Sequence, residues 1–293
     1  MDWANAIIQG VLLGGLFALF ATGLSLAFGV MRFVNLAHGD LAILGAFLTW
    51  SAVDVFDVSP WLALLLVVPV MAVLGYVLQR VVFNRTLGAD PLPSILVTFG
   101  LGIVIQNALL EHYTADSRGL DGGGIETESI SITDDIAIGW LPLLTLIVAV
   151  VVLGGLQLFL TRTMMGKAFR ATSDDADTAR LMGVNGKRLF GVAMGIAFAT
   201  VALAGVFLGI RQTFGPSDGP AQLIFAFEAV VIGGLGSLWG TLVGGIVLGV
   251  AQNLGNEIDV RYGWLNGVLV GHLVFLAVLA FRPAGLLSRK EQR

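Results

Sequence analysis

Apolar runs long enough to cross a bilayer recur along nearly the whole chain, separated by short polar breaks. A crossing takes about 20 apolar residues, and the runs at 6–31, 36–54, 60–83, 92–112, 139–160, 189–210, 240–257 and 264–281 reach or approach that length. A shorter run at 222–236 ends in Gly233, Gly234 and Gly236. It reads as a broken or half-length helix, which hydrocarbon tolerates only where protein or a water-filled cavity surrounds the break. The pattern predicts an all-α polytopic membrane protein with about eight long transmembrane helices, one short broken helix and a further helix in water between two spans.

That water-exposed stretch, 162–188, interrupts the apolar pattern with RTMMGKAFRATSDDADTARLMGVNGKR. Arg162, Lys167, Arg170, Arg180, Lys187 and Arg188 make up six of the sixteen basic residues, with Asp174, Asp175 and Asp177 grouped among them. Ser173 suits the cap of a helix over 173–183 that carries the three aspartates in its first turn, Arg180 near its end and Gly183 just beyond, an order that complements the helix dipole. The apolar surface of Ala176, Ala179, Leu181 and Met182 is too small for a core, yet it suits docking in a groove of another protein.

Composition agrees with the pattern. Of 293 residues 56% are hydrophobic and 12% charged, more apolar surface than a soluble domain can bury. The whole chain reads as a single transmembrane domain, with no cysteine for disulfides or thiolate metal sites. A net charge of −4 supports no nucleic-acid partner. The start, MDWANAI, lacks a basic signal-peptide n-region, so the first run is expected to stay as a span.

Lysine and arginine set orientation. With the amino terminus outside and the short run crossing, thirteen basic residues fall inside: Arg32, Arg80, Arg85, the six of 162–188, and Arg282, Arg289, Lys290 and Arg293. Only Arg118, Arg211 and Arg261 fall outside. This places 162–188 and the tail 282–293 in the cytoplasm of a cell-membrane protein. A re-entrant short run would invert the last two spans and put the basic tail outside. The outer segment 113–138, with Asp116, Asp121, Glu126, Glu128, Asp134, Asp135 and the run Gly122–Gly124, reads as a solvated connector or as a partner surface.

Small-xxx-small spacings at Gly10/Gly14, Gly205/Gly209, Gly240/Gly244, Gly245/Gly249 and Gly263/Gly267/Gly271 predict closely packed helices. The hexapeptide Asn35-Leu36-Ala37-His38-Gly39-Asp40 opens the second span with three polar side chains. Asn35 suits the cap and Asp40 the dipole of that helix; the group reads either as a helix-start network or as a lining of a transport path or gate. Glu228, alone in the run LIFAFEAVVIGGLG, needs a partner such as Arg211 or must be protonated, and reads as a functional acid or a structural ion pair. Gln106, Asn107, Gln252, Asn253, Asn266 and His272 read mainly as interhelical hydrogen-bonding groups.

No nucleotide-binding loop occurs, since Gly166-Lys167 is followed by Ala168. No catalytic triad or zinc motif emerges either. Transport with an external energy source is the expectation.

Three segments, VNLAHGDLAILGAF at 34–47, GKAFRATSDDADTARLMGVNGKRL at 166–189 and FEAVVIGGLGSLWGTLVGGIVLG at 227–249, resemble the branched-chain amino acid ABC importer permeases, specifically the smaller of their two membrane subunits. The resemblance runs over nearly the whole chain, in family order. It implies a second homologous permease subunit, two ABC ATPase subunits that bind ATP and Mg, and an extracytoplasmic solute-binding protein. It also makes 166–189 the coupling region that rests on the ATPase. On this reading Arg170, Asp174, Asp175, Asp177, Arg180, Leu181, Met182 and Gly183 serve coupling, while Asn35, His38, Asp40 and Glu228 border the path or its gates. The family's cargo includes urea and short amides beside aliphatic amino acids. A passive channel and an ion-coupled transporter using Asp40 or Glu228 remain the alternatives of another class.

Overall fold

The computed structural model describes residues 3–88, 90–133, 136–263 and 266–287. Asp134, Asp135, Arg289, Lys290 and Arg293, named above for their charge, lie outside the described residues. The chain is a helical membrane bundle. Among the described residues seven helices are long and apolar enough to cross a bilayer: α1 (Trp3–Met31), α2 (His38–Phe56), α3 (Pro60–Val81), α4 (Leu92–Tyr113), α5 (Trp140–Arg162), α8 (Gly186–Arg211) and α10 (Leu238–Tyr262). Two more apolar helices are shorter, α9 (Gly219–Gly233) and α11 (Gly267–Phe281). Between α5 and α8 lie α6 (Met164–Asp174) and α7 (Ala176–Leu181).

The apolar runs and the helices coincide to within a few residues, because a span in hydrocarbon must satisfy its backbone internally. The final span is shorter than the apolar run that announced it. One element departs from the all-helical expectation: in the outer segment, β1 (Ser129–Thr133) and β2 (Ile136–Gly139) pair as an antiparallel hairpin. The alternation of Ser129, Ile130 and Ser131 is a strand pattern hidden in a segment dominated by acids and glycines.

Two helices form the centre. In α1 and α8, 83% of the most apolar window is buried, against 22–28% in α3, α4 and α5, so α1 and α8 read as core while the other three present broad apolar faces outward. α1 packs on α10 and α9; α8 packs on α3 and α2. The units α1–α2–α3 and α8–α9–α10 therefore share one plan but run in opposite directions, each central helix clasped by the second and third helices of the other unit.

Glycine sets the closest approach. A Cβ at Gly10 would come within 2.5 Å of the Val250 Cα and one at Gly245 within 2.7 Å of the Gly14 carbonyl oxygen, so backbone meets backbone where α1 crosses α10.

Both units contain a non-helical return inside the bundle. His38 Nε2 lies 2.8 Å from the Phe20 carbonyl oxygen, and Phe20 is eleven residues, about 16 Å at 1.5 Å per residue, before the end of α1. Thus 32–37 climbs back along α1, and α2 starts near mid-bilayer. In the second unit, Phe214 exchanges both backbone hydrogen bonds with Arg118 on the side of the outer segment. The chain then descends to Gly219, which lies against Asp40. From there α9 runs to the 234–237 turn beside Gly29, near the end of α1. The stretch 212–237 consequently passes from one face of the bundle to the other.

The faces differ in charge. Arg32, Arg80, Arg85, Arg282 and the basic residues of 162–188 lie with the end of α1, while Arg118, Arg211 and Arg261 lie with its start; Arg261 stacks over Trp3 at 4.9 Å.

Replacing Gly14 by Leu forces side-chain volume into the α1–α10 crossing, at a cost of about 1–3 kcal/mol. The Gly14→Leu protein is expected to melt several degrees lower in detergent than Gly154→Leu, where a Cβ meets nothing within 4 Å; equal melting temperatures would show that this crossing does not limit stability.

Candidate functional site

The segment between α5 and α8 is built from two capped helices. Thr163 ends α5 by donating to the Phe159 carbonyl (2.8 Å) and caps α6 by accepting from the Gly166 amide (3.0 Å). Gly166 sits directly on the last turn of α5, and Phe169 is 1% exposed, packed near Phe159 with ring centroids 6.1 Å apart. The next break falls at Asp175, whose carboxylate accepts from the amides of Asp177 and Thr178 (both 3.0 Å) and from the Thr178 hydroxyl (2.6 Å). The cap of α7 is therefore Asp175, and the expected single helix over 173–183 is two.

Ser173, expected as that cap, lies inside α6 and donates to the Gly29 carbonyl at 2.6 Å. This bond ties the segment to the end of α1, a contact 144 residues apart that no local pattern reveals.

α7 ends in a Schellman motif. The Gly183 amide bonds the Arg180 carbonyl, the Val184 amide bonds the Ala179 carbonyl, and Gly183 takes φ +86°. The turn leaves Leu181 88% and Met182 81% exposed, whereas Ala179, expected on the same docking surface, is buried at 5%. Asp174, Asp177 and Arg180 are exposed, and Arg170 is half-buried. Two adjacent apolar side chains thus project beyond the membrane-spanning bundle, ringed by charge.

The intramembrane candidates form a second region. Asn35 does not cap α2; its Oδ1 accepts from the Ala37 amide at 3.1 Å and so fixes the turn before the helix. His38 is the first helical residue and meets the Phe20 carbonyl. Asp40 Oδ1 accepts from Gln106 Nε2 on α4 at 2.9 Å. The α9 start at Gly219 abuts Gly39 and Asp40 so closely that a side chain there would overlap them. The positive ends of two helices therefore converge on the Asp40 carboxylate.

Glu228 pairs with His272 Nδ1 on α11 at 2.5 Å. Arg211, the partner named from sequence, is on the face where α8 ends and is not the partner. His272 stacks on Phe225 with 6.2 Å between ring centroids and 12° between planes. The two acids follow the same plan: an acid on the second helix of each unit bonds a polar side chain on the helix after the third. Glu228 lies nine residues after Gly219, about 13 Å along α9, so the four residues form two sites. Asn35, His38, Asp40 and Glu228 are buried, at 1–4% exposure. Gln106 and His272 stood among the secondary polar residues; only helix adjacency identifies them as the acids' partners.

Residues 6–278 match the model of a family described as branched-chain amino acid transport system / permease component. This chain belongs to that family. High-affinity branched-chain amino acid transport system permease protein BraD of Pseudomonas aeruginosa is 29% identical, over 99% of this chain and 97% of its own. The corresponding permease protein LivH of Escherichia coli is 28% identical over 97% of this chain and 95% of its own. LivM of Escherichia coli, also a permease protein of such a system, is 25% identical over 93% of this chain and 68% of its own. The permease component described here is accordingly a multi-pass membrane protein.

The hydrogen bonds from the Thr178 hydroxyl, and then from the Thr178 and Asp177 amides, hold the Asp175 carboxyl below the usual carboxylate range. A depressed value means the cap is fully present above the unfolded value of about 3.9 and is lost as pH falls through the folded value. The protection factors of the Asp177 and Thr178 amides, intrinsic over observed exchange rate at each pH, should fall several-fold in Asp175→Ala and with acidification below that range. Asp175→Asn should keep its protection, and equal exchange in both variants at neutral pH would remove Asp175 as the cap.

Proposed function

We propose that this permease is the membrane-spanning subunit of an ATP-driven importer for small aliphatic solutes, with branched-chain amino acids as the favoured cargo. A second permease subunit, two ABC ATPases that bind ATP and Mg, and an extracytoplasmic solute-binding protein complete the machine. The observation that carries the reading is the exposed Leu181–Met182 pair at the end of a capped, charged segment. A knob of this kind suits an apolar groove on an ATPase, and a chain without a nucleotide loop needs that source of work.

The charge difference between the faces supports the orientation. Under the positive-inside rule the face with 162–188 is cytoplasmic and the amino terminus is outside. ATPase closure then pushes α7 and α6 as one body. The push reaches α5 and α8 through the chain and α1 through the Ser173–Gly29 bond. α1 and α8 hold the returns at 32–37 and 212–218, so movement of the segment is delivered to Asp40 and Glu228. The names of the relatives support the cargo, as does the apolar character of the bundle, since a zwitterion needs mostly apolar walls with a few polar contacts.

Reconstituted uptake with and without the ATPases and binding protein tests the class: flux that needs neither makes the chain a channel, and flux driven by an ion gradient makes it a secondary transporter. Leu181→Asp combined with Met182→Asp should abolish substrate-stimulated ATP hydrolysis in a complex that still purifies intact; unchanged hydrolysis would sink the docking role. Asp40→Asn and Glu228→Gln should each change the uptake rate in assembled complexes, and normal uptake in both removes them from the mechanism.

A further inference from the structure

The coupling face holds a cavity of about 270 Å³ between α1, α5, α6 and the start of α10. None of the four buried path candidates lines it. Its size is near the lower end of ligand cavities, about 300 Å³, which suits one molecule the size of an amino acid.

Its walls are chemically divided. Arg170 on α6 contributes a guanidinium that, among the described residues, has no carboxylate partner. The first residues of α10, Leu238 and Trp239, also line it, and their amides are among those a helix start leaves without partners inside the helix. The Ser237 cap is spent on the Gly240 amide. A third group points independently to a ligand: Ser25 on α1 is 1% exposed, and its hydroxyl has no hydrogen-bond partner among the described residues. Phe169 and Leu160 add apolar surface. A guanidinium, the positive end of a 25-residue helix and an unspent hydroxyl recognise a carboxylate, and the apolar wall recognises an aliphatic chain.

We propose that this cavity binds a small aliphatic carboxylate, with a free aliphatic amino acid in the cytoplasm as its occupant, and that the occupant restrains the coupling segment. The occupant bridges Arg170 on the moving segment to Ser25 and the α10 start in the bundle. It fastens across the cavity the same junction that Ser173 and Gly29 join on one side, and so opposes the displacement that ATP hydrolysis drives. The restraint rests on the importer reading; the binding site does not.

The test begins with the full-length permease, purified with its partner permease in nanodiscs and titrated with L-leucine by calorimetry. Leucine should bind once per chain of this type, and leucinamide, which lacks the carboxylate, about tenfold more weakly. Arg170→Gln should weaken leucine about tenfold and Ser25→Ala about threefold. Absence of leucine binding, equal binding of leucinamide, or affinity unchanged in both variants overturns the site. In complete proteoliposomes, leucine sealed on the cytoplasmic side should slow initial uptake, with the half-inhibiting concentration rising in Ser25→Ala in proportion to its lost affinity. Binding without inhibition overturns the restraint. Uptake into vesicles with no sealed leucine reports on the importer reading alone, so its failure is distinguishable from failure of the site.

Discussion

The constraint on which the structure depends is that backbone amides and carbonyls inside hydrocarbon must find partners within the protein. The long apolar helices and the shorter α9 and α11 satisfy most of them. The chain nevertheless leaves helix twice at membrane depth, at 32–37 and 212–218, and each return is sealed by specific bonds: Asn35 holds the Ala37 amide, Arg118 and Phe214 hold one another, and Asp218 holds the Gly215 amide. The carbonyls at the end of α9, Ile232 and Gly233, are taken by the amides of Leu286 and Leu287 from the tail. Such bonds survive only away from lipid. α1 and α8 therefore occupy the centre, and the glycines that let α10 and α3 close over them are as necessary as the apolar side chains.

The returns also explain where the acids sit. An acid in a continuous span would face lipid or a neighbour through one turn of helix. Here the starts of α2 and α9 meet at Gly39 and Gly219, and their positive ends offset the negative charge of Asp40. Glu228 lies further along α9 and takes its partner from α11. Each acid is thus bonded to a side chain on the helix that follows its own unit, α4 for Asp40 and α11 for Glu228. The segment between α5 and α8 is attached by chain continuity to those two helices and by one hydrogen bond, Ser173 to Gly29, to α1.

Much of this was legible in the sequence. Span positions follow from apolar length, the placement of basic residues follows from their clustering, and Gly183 was identifiable as the residue past a helix end because only glycine takes its positive φ without strain. Other features were visible only in hindsight. Gly39 and Gly219 are each followed, seven residues later, by Ala-Phe, at Ala46-Phe47 and Ala226-Phe227, a trace of the opposed units too faint to announce them. The Asp175 cap was obscured because Ser173 and Asp175 both satisfy the rule for a helix start, and the choice between them was made by Gly29.

The sequence by itself determined a membrane-embedded helical chain, the positions of its spans, and the polar segment that interrupts them, because hydropathy and charge act residue by residue. Tertiary structure alone decided which polar groups meet: Asp40 with Gln106, Glu228 with His272 rather than Arg211, and Ser173 with Gly29 rather than with its own helix start. A buried polar side chain takes whichever partner helix packing brings within reach, and neither its own identity nor that of its sequence neighbours specifies that partner.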